Sequence, residues 1–381
     1  MRLRTVIWLG TAVSVLLFCL AVGYYAFMHL DMTNRNRSIN LFSMVPANCA
    51  GVLESDNITA YLNEVPTLNY GMELERFQFP GLFSFILGEL NEYTTRNAHG
   101  LSSQMNRLVV SFHQPCGPRD QVIYFQMGTA DETVFTDMLR EYTSGNFLPK
   151  EEKYRGKTIQ VYPLNYDEYL SVYTESGFFV VSYQKKLVEE VIDAKLDGTS
   201  LNEDAVFPLM HKAKRTDYLT LYARSSAMPC LNMEEEGWTE FDFHLNSDVF
   251  YLTGETYLPE PGNGLALAME QIKEAPHVKG EHWLMSADKD SIQYYMENAY
   301  RENESQNRTL FNECVANLSY DASFSLVTDM QHLSQAPQEL QGFLPAFVQD
   351  NSLLFSAFYL SVQYSCVNDR LSHIWVFTYK N

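Results

Sequence analysis

A chain of 381 residues with a formal net charge of −20 and a hydrophobic fraction of 46%, much of it tyrosine and phenylalanine, buries a large core and does not belong to the disordered class. Its acidity argues against two partners. Phosphate backbones are repelled, so nucleic acid is excluded, and docking on anionic headgroups is disfavoured.

Arg2 and Arg4 precede Val6 to Met28, 23 residues without a charged side chain. About 20 such residues span a bilayer core as a helix. Trp8, Tyr24 and Tyr25 sit at interfacial depths, and the two arginines place the N-terminus in the cytoplasm. Arg35 and Arg37 weaken that signal without reversing it, because the long domain behind them translocates regardless. A cleaved signal peptide ending at Ala21-Val22-Gly23 is the rival reading, but the apolar run continues to Met28 and favours an uncleaved anchor. Cys19, preceded by Phe18, makes a poor lipoprotein site. The expectation is a single-pass protein of a bacterial inner membrane that contacts the lipid bilayer through this helix, with its C-terminal domain extracytoplasmic. Residues 1–30 are the cytoplasmic tip and anchor, and 31–44 a stalk.

The remainder reads as α+β: antiparallel sheets with packed helices, in modules spanning 45–258 and 265–381. Residues 50–54 form a strand, and Ser55 or Asp56 caps a helix through Leu62. A second helix covers 82–92. Strands at 107–112 and 121–125 flank the turn Pro115-Cys116-Gly117-Pro118. Asp131 opens a helix with a one-sided stripe of Phe135, Met138 and Leu139. Strands follow at 158–162, 169–174 and 178–183. A helix at 186–196 is stopped by Gly198, and Asp204 caps a short one through Met210. Residues 217–223 are a strand. Trp238–Leu245 and Val249–Leu258 form a hairpin in which Phe241, Phe243 and Leu245 face the core while Asp242 and His244 face water. Pro259–Gly264 is the linker candidate. Helices at 265–273 and 291–300 surround a strand at 283–286, and 301–308 is a polar loop. Strands at 322–327, 355–364 and 373–379 close the chain. A faint repeat relates Pro46 to Tyr61 with Pro276 to Tyr295.

The opening Val45-Pro46-Ala47-Asn48-Cys49-Ala50 behind one anchor, then 157–164 (KTIQVYPL), 177–192 (GFFVVSYQKKLVEEVI) and 205–210 (AVFPLM), resembles a family of uncharacterised bacterial exported cell-envelope proteins with a single N-terminal anchor. The likeness covers roughly residues 44–260. It implies a location and a fold type, and no site.

Chemical signatures are weak. Gly262-Asn263-Gly264 has no preceding strand and no third glycine, so the dinucleotide fingerprint fails. There is no phosphate loop and no nucleophile elbow. His277 and His282 stand at i and i+5, whereas a zinc helix needs i and i+4, and Pro276 and Gly280 indicate a loop. Glu240, Asp242 and His244 alternate on one strand face as an acid–base row that a wet face explains equally. Glu234-Glu235-Glu236 lacks the glycine turn of a calcium loop. The expectation is therefore no catalytic, cofactor-binding or metal residue and no cofactor. Five cysteines follow the anchor without zinc spacing, and Cys314 with Cys366 is the pairing to examine. The leading function is a non-catalytic binding or scaffolding component of the cell envelope with an envelope protein partner. The alternative is an extracytoplasmic hydrolase or metal-dependent enzyme whose site is assembled from scattered residues.

Overall fold

The computed structural model describes Val22 and residues 39–380, except 77–81, 97–105, 118, 128–130, 144–147, 166–167, 176, 213–217, 228–235, 260, 306–307, 345–347, 350–351 and 368–369. The expected anchor lies outside the described residues apart from Val22. Among the described residues, no helix is long and apolar enough to cross a membrane.

The strands are β1 (Gly51–Ser55), β2 (Leu108–Phe112), β3 (Gln121–Gln126), β4 (Lys150–Tyr154), β5 (Lys157–Asn165), β6 (Glu168–Glu175), β7 (Phe178–Ser182), β8 (Thr220–Arg224), β9 (Trp238–Leu245), β10 (Val249–Tyr257), β11 (Val278–Lys279), β12 (Trp283–Ser286), β13 (Phe324–Asp329), β14 (Phe358–Val367) and β15 (Arg370–Tyr379). The α-helices are α1 (Ile58–Glu64), α2 (Gly71–Arg76), α3 (Leu82–Arg96), α4 (Asp131–Tyr142), α5 (Lys185–Asp197), α6 (Phe207–Lys212), α7 (Pro261–Lys273), α8 (Lys289–Glu304), α9 (Leu310–Ala316) and α10 (Gln338–Gln341). The expected α+β class holds, with one sheet in place of several. All 15 strands among the described residues join it, in the order β11-β12-β13-β14-β15-β10-β9-β8-β1-β2-β3-β7-β6-β5-β4.

The order reads outward twice from a central seam where β1 pairs antiparallel with β8, Val52 opposite Tyr222 and Leu53 opposite Leu221. On one side β1-β2-β3 meander outward. Helix α4 then carries the chain to the far edge, and β4 to β7 meander back until β7 pairs with β3. On the other side β8-β9-β10 do the same, α7 makes the crossing, and β11 to β15 return until β15 pairs with β10. This topological repeat equates β1 with β8, a different correspondence from the Pro46/Pro276 similarity, which would set β1 against β12.

Helices cover both faces, as a sheet with two apolar sides requires. In the first half α5 and α6 pack Leu187, Val191, Ile192 and Phe207 on Val52, Tyr124 and Val180. On the opposite face α1, α3 and α4 pack Ile58, Leu90 and Phe135 on Leu53, Ile123 and Phe125. In the second half α7 and a 3-10 turn at Met330–Gln335 lie over Leu326, Leu360 and Phe377. Helices α8 and α9 cover Leu284 and Val327 from the other side.

Several local expectations shift. Leu41, Phe42 and Met44 are buried, so the end of the expected stalk belongs to the folded body. Asn57, not Ser55 or Asp56, caps α1, accepting from Ala60 N–H. Gly198 ends α5 at φ 67°, a conformation glycine adopts without penalty. The Pro259–Gly264 stretch enters a helix at Pro261, where a proline at the first helical position gives up no hydrogen bond. Helix α8 continues to Glu304, into the first part of the expected polar loop 301–308. Cys314 and Cys366 are not bonded. Cys314 lies beside Ser361 on β14, and Cys366 is five residues further along that strand. At about 3.3 Å per residue this is well beyond the roughly 7 Å a disulfide spans.

Candidate functional site

At the seam, three neighbouring strands carry polar side chains on a single face. Alternation puts Glu54 of β1, Thr220 and Tyr222 of β8, and Glu240, Asp242 and His244 of β9 on the side that faces α6. The register aligns Glu54 with Thr220 and Thr220 with Asp242, and sets Tyr222 opposite Glu240. The expected wet face is overturned here, because Glu240 is 1% exposed and Asp242 2%. The side chains do alternate, but α6 covers this side as well. Its Phe207 sits in a box of rings, with centroids 5.1 Å from Phe42, 5.3 Å from Tyr222 and 5.1 Å from Trp238.

Burying a carboxylate is costly unless it is hydrogen-bonded. His211 of α6 brings Nε2 to 3.1 Å from Glu54 Oε2, and the Tyr222 hydroxyl donates to the same oxygen at 3.2 Å. Thr220 Oγ1–H donates to Asp242 Oδ1 at 2.6 Å. Burial, followed by the negative charge of Glu54 and Glu240, pushes the Tyr222 hydroxyl far above its ordinary value. Tyr222 is thus a fixed donor and not a base. His244 stands apart, stacked on Tyr251 at 4.6 Å with Nε2 3.1 Å from Thr253 Oγ1. What the sequence suggested as a row for proton transfer is a covered polar network that ties β1, β8, β9 and α6 together.

Further along the same face, α9 stands off from β10, β14 and β15 and leaves a cavity of about 460 Å³. Thr309 caps α9 by accepting from Asn312 N–H, and Arg308 pairs with Glu313 at 2.6 Å. The cavity has an apolar floor of Val249, Ile374 and Val376, walls from Leu310 and Leu318, and a polar margin that includes Asp248, Glu313 and Gln363. Its volume falls within the range of small-ligand sites, roughly 300–1,000 Å³. Cys314, also at the wall, is a poor nucleophile, since burial pushes its thiol up to about 11 and thiols react as thiolates.

The two histidines weighed as a zinc pair are kept apart. His277 stacks on Tyr295 with Nε2 3.2 Å from the hydroxyl. His282 stacks instead on His332 at 3.9 Å, beside Asp329. Glu234 and Glu235 lie outside the described residues, while Glu236 accepts from Ser226 on the surface. Gly262, Asn263 and Gly264 are inside α7. Sequence reasoning missed Glu54, His211, Asp329 and His332. Glu54, directly after the apolar Gly51-Val52-Leu53 in a strand, was the one local signal among them. No protein family, curated protein or solved structure matches this chain, so the family resemblance rests on sequence pattern alone.

Proposed function

We propose that this protein is a membrane-anchored extracytoplasmic binding component of the cell envelope, which receives an apolar, basic segment of an envelope partner in the cavity beside α9. The observation that carries this reading is the cavity itself, an apolar floor of Val249, Ile374 and Val376 set between the carboxylates of Asp248 and Glu313. The floor suits an aliphatic or aromatic side chain. The net charge of −20 favours a cationic partner and speeds its encounter. The membrane placement rests on the charge-free run from Val6 to Met28.

Two measurements test the reading. An extracytoplasmic-only reporter fused after Asn381 is expected to be active, and activity of a cytoplasmic-only reporter alone refutes the location. A photocrosslinker at Ile374 is expected to give one discrete adduct in intact cells, and Val376→Arg, which places a cation in the cavity, is expected to abolish it. An adduct that survives Val376→Arg, or that forms equally from a crosslinker at exposed Tyr294, refutes the binding site.

A further inference from the structure

At the C-terminal end of β13, His282 meets two residues about 50 positions further along the chain, Asp329 and His332. His282 immediately precedes β12. The pairing of Trp283 with Thr328 extends one step further, so that Asp329 N–H donates to the His282 carbonyl at 2.8 Å. Asp329 is the last residue of β13 and caps the following 3-10 helix, its Oδ1 accepting from Gln331 N–H at 2.9 Å. His332 lies in that helix, with Nδ1 3.0 Å from Asp329 Oδ2. The backbone of two paired strands and a capped turn therefore holds all three.

We propose that His282, Asp329 and His332 bind one divalent transition-metal ion of the zinc class. Their ligand atoms lie within 4.8 Å of one another. Two imidazoles and one carboxylate form the donor set that zinc and its neighbours take. The centroids of the two imidazole rings are 3.9 Å apart and the ring planes are inclined by 5°. Tetrahedral ligands at about 2.1 Å from an ion stand roughly 3.4 Å from each other, and each imidazole ligates in its own plane, so sharing one ion requires the two rings to turn out of their parallel stack. Both rings are partly buried, whereas the Asp329 side chain is 5% exposed.

Lys380 completes the arrangement. Its ammonium pairs with Asp329 Oδ1 and donates to the Ser356 carbonyl at 2.9 Å. That leaves Oδ2, the oxygen facing His332, as the ligand atom. A partner on the outer oxygen of a ligating carboxylate orients it and tunes its affinity. Burial alone would raise the Asp329 carboxyl, but Lys380, the Gln331 N–H and His332 outweigh it and hold the group below its ordinary value. With His332 partly exposed to solvent, the remaining coordination position is open to water.

The test uses the full chain, solubilised in detergent and stripped with a chelator, and titrates Zn²⁺ by calorimetry and Co²⁺ by visible absorption. The expected result is one equivalent of tight binding with a Co²⁺ spectrum of low coordination number. His282→Ala, His332→Ala and Asp329→Asn each weaken it at least about 10-fold, while His277→Ala leaves it unchanged. Circular dichroism separates lost ligation from lost folding, and His282→Gln, which keeps a polar side chain of similar reach, serves if the alanine variant unfolds. No stoichiometric binding, or binding that persists in all three variants, overturns the assignment. So does equal loss in His277→Ala.

Discussion

Replace His373 with phenylalanine, and unfold both proteins in urea at pH 7 and at pH 5, following tryptophan fluorescence. His373 lies on β15 opposite Gly254 of β10 and Tyr364 of β14, buried with its ring 4.6 Å from that of Phe241. Burial pushes its pKa down to about 4, against a small opposing pull from the Glu240 carbonyl. An unfolded histidine titrates near 6.5. The unfolded chain therefore takes up the proton first as the pH falls. The stability due to neutral His373 is complete above about pH 6.5 and is lost as the pH falls from there toward 4. At pH 5 the difference between the two pKa values corresponds to about 2 kcal/mol, with a limit of about 3 kcal/mol below pH 4. Phenylalanine fills similar space and binds no proton. The wild type is expected to lose about 2 kcal/mol more than His373→Phe between pH 7 and pH 5. His113, pushed down to about 4 by burial, titrates in both proteins and cancels. Equal losses in the two proteins would mean that His373 charges freely inside the fold, and would refute the reasoning.

Phe207→Ala empties the ring box over the seam and is expected to cost about 3–5 kcal/mol in a urea melt, whereas Leu209→Ala, at a site 67% exposed, costs almost nothing; similar costs would refute the packing of α6. Gly254→Ala places a Cβ 2.0 Å from the Glu240 carbonyl oxygen and is expected to destabilise by at least about 1–3 kcal/mol, a loss visible as a lowered urea midpoint. Under native conditions an alkylating reagent is expected to modify exposed Cys116 and Cys366 well before buried Cys49 and Cys314, and Cys49 should be slowest because burial pushes its thiol up to about 12; peptide mass spectrometry reads the order, and early labelling of Cys314 would contradict the packing of α9.

Most strands were legible because they alternate or run apolar, as Leu108–Phe112 and Phe178–Ser182 do. Strand β4 was not, because Lys150-Glu151-Glu152-Lys153-Tyr154 has no apolar side to bury. It sits at the sheet's outer edge, paired only with β5, where charge discourages a further strand from adding. The two-residue β11 is too short to carry a pattern. Strand order was illegible for a different reason. Local sequence sets which segments extend, but the two long crossings at α4 and α7 decide where each meander restarts. The polar clusters were hidden by distance. Glu54 meets His211 across 157 residues, and His282 meets Asp329 and His332 across 47 and 50. Helical spacing relates His282 only to near neighbours such as His277, whereas its partners stand on another strand and turn.

The seam between β1 and β8 has a consequence for how the chain comes into being. Strand β1 gains its inner neighbour β2 within the first 112 residues, but the strand that completes its other edge is not made until Thr220–Arg224. Throughout that interval a growing polypeptide offers a bare ladder flanked by Val52 and Leu53, both fully enclosed in the finished sheet. An edge of that kind accepts any extended strand it meets. The arrangement around it is what a twofold axis would generate from two separate copies, so an isolated first half would find its most fitting substitute for β8 in the β1 of another isolated half. Joining the halves in one polypeptide turns that encounter between molecules into an internal one, and every chain then carries its own stopper for the strand it leaves open longest.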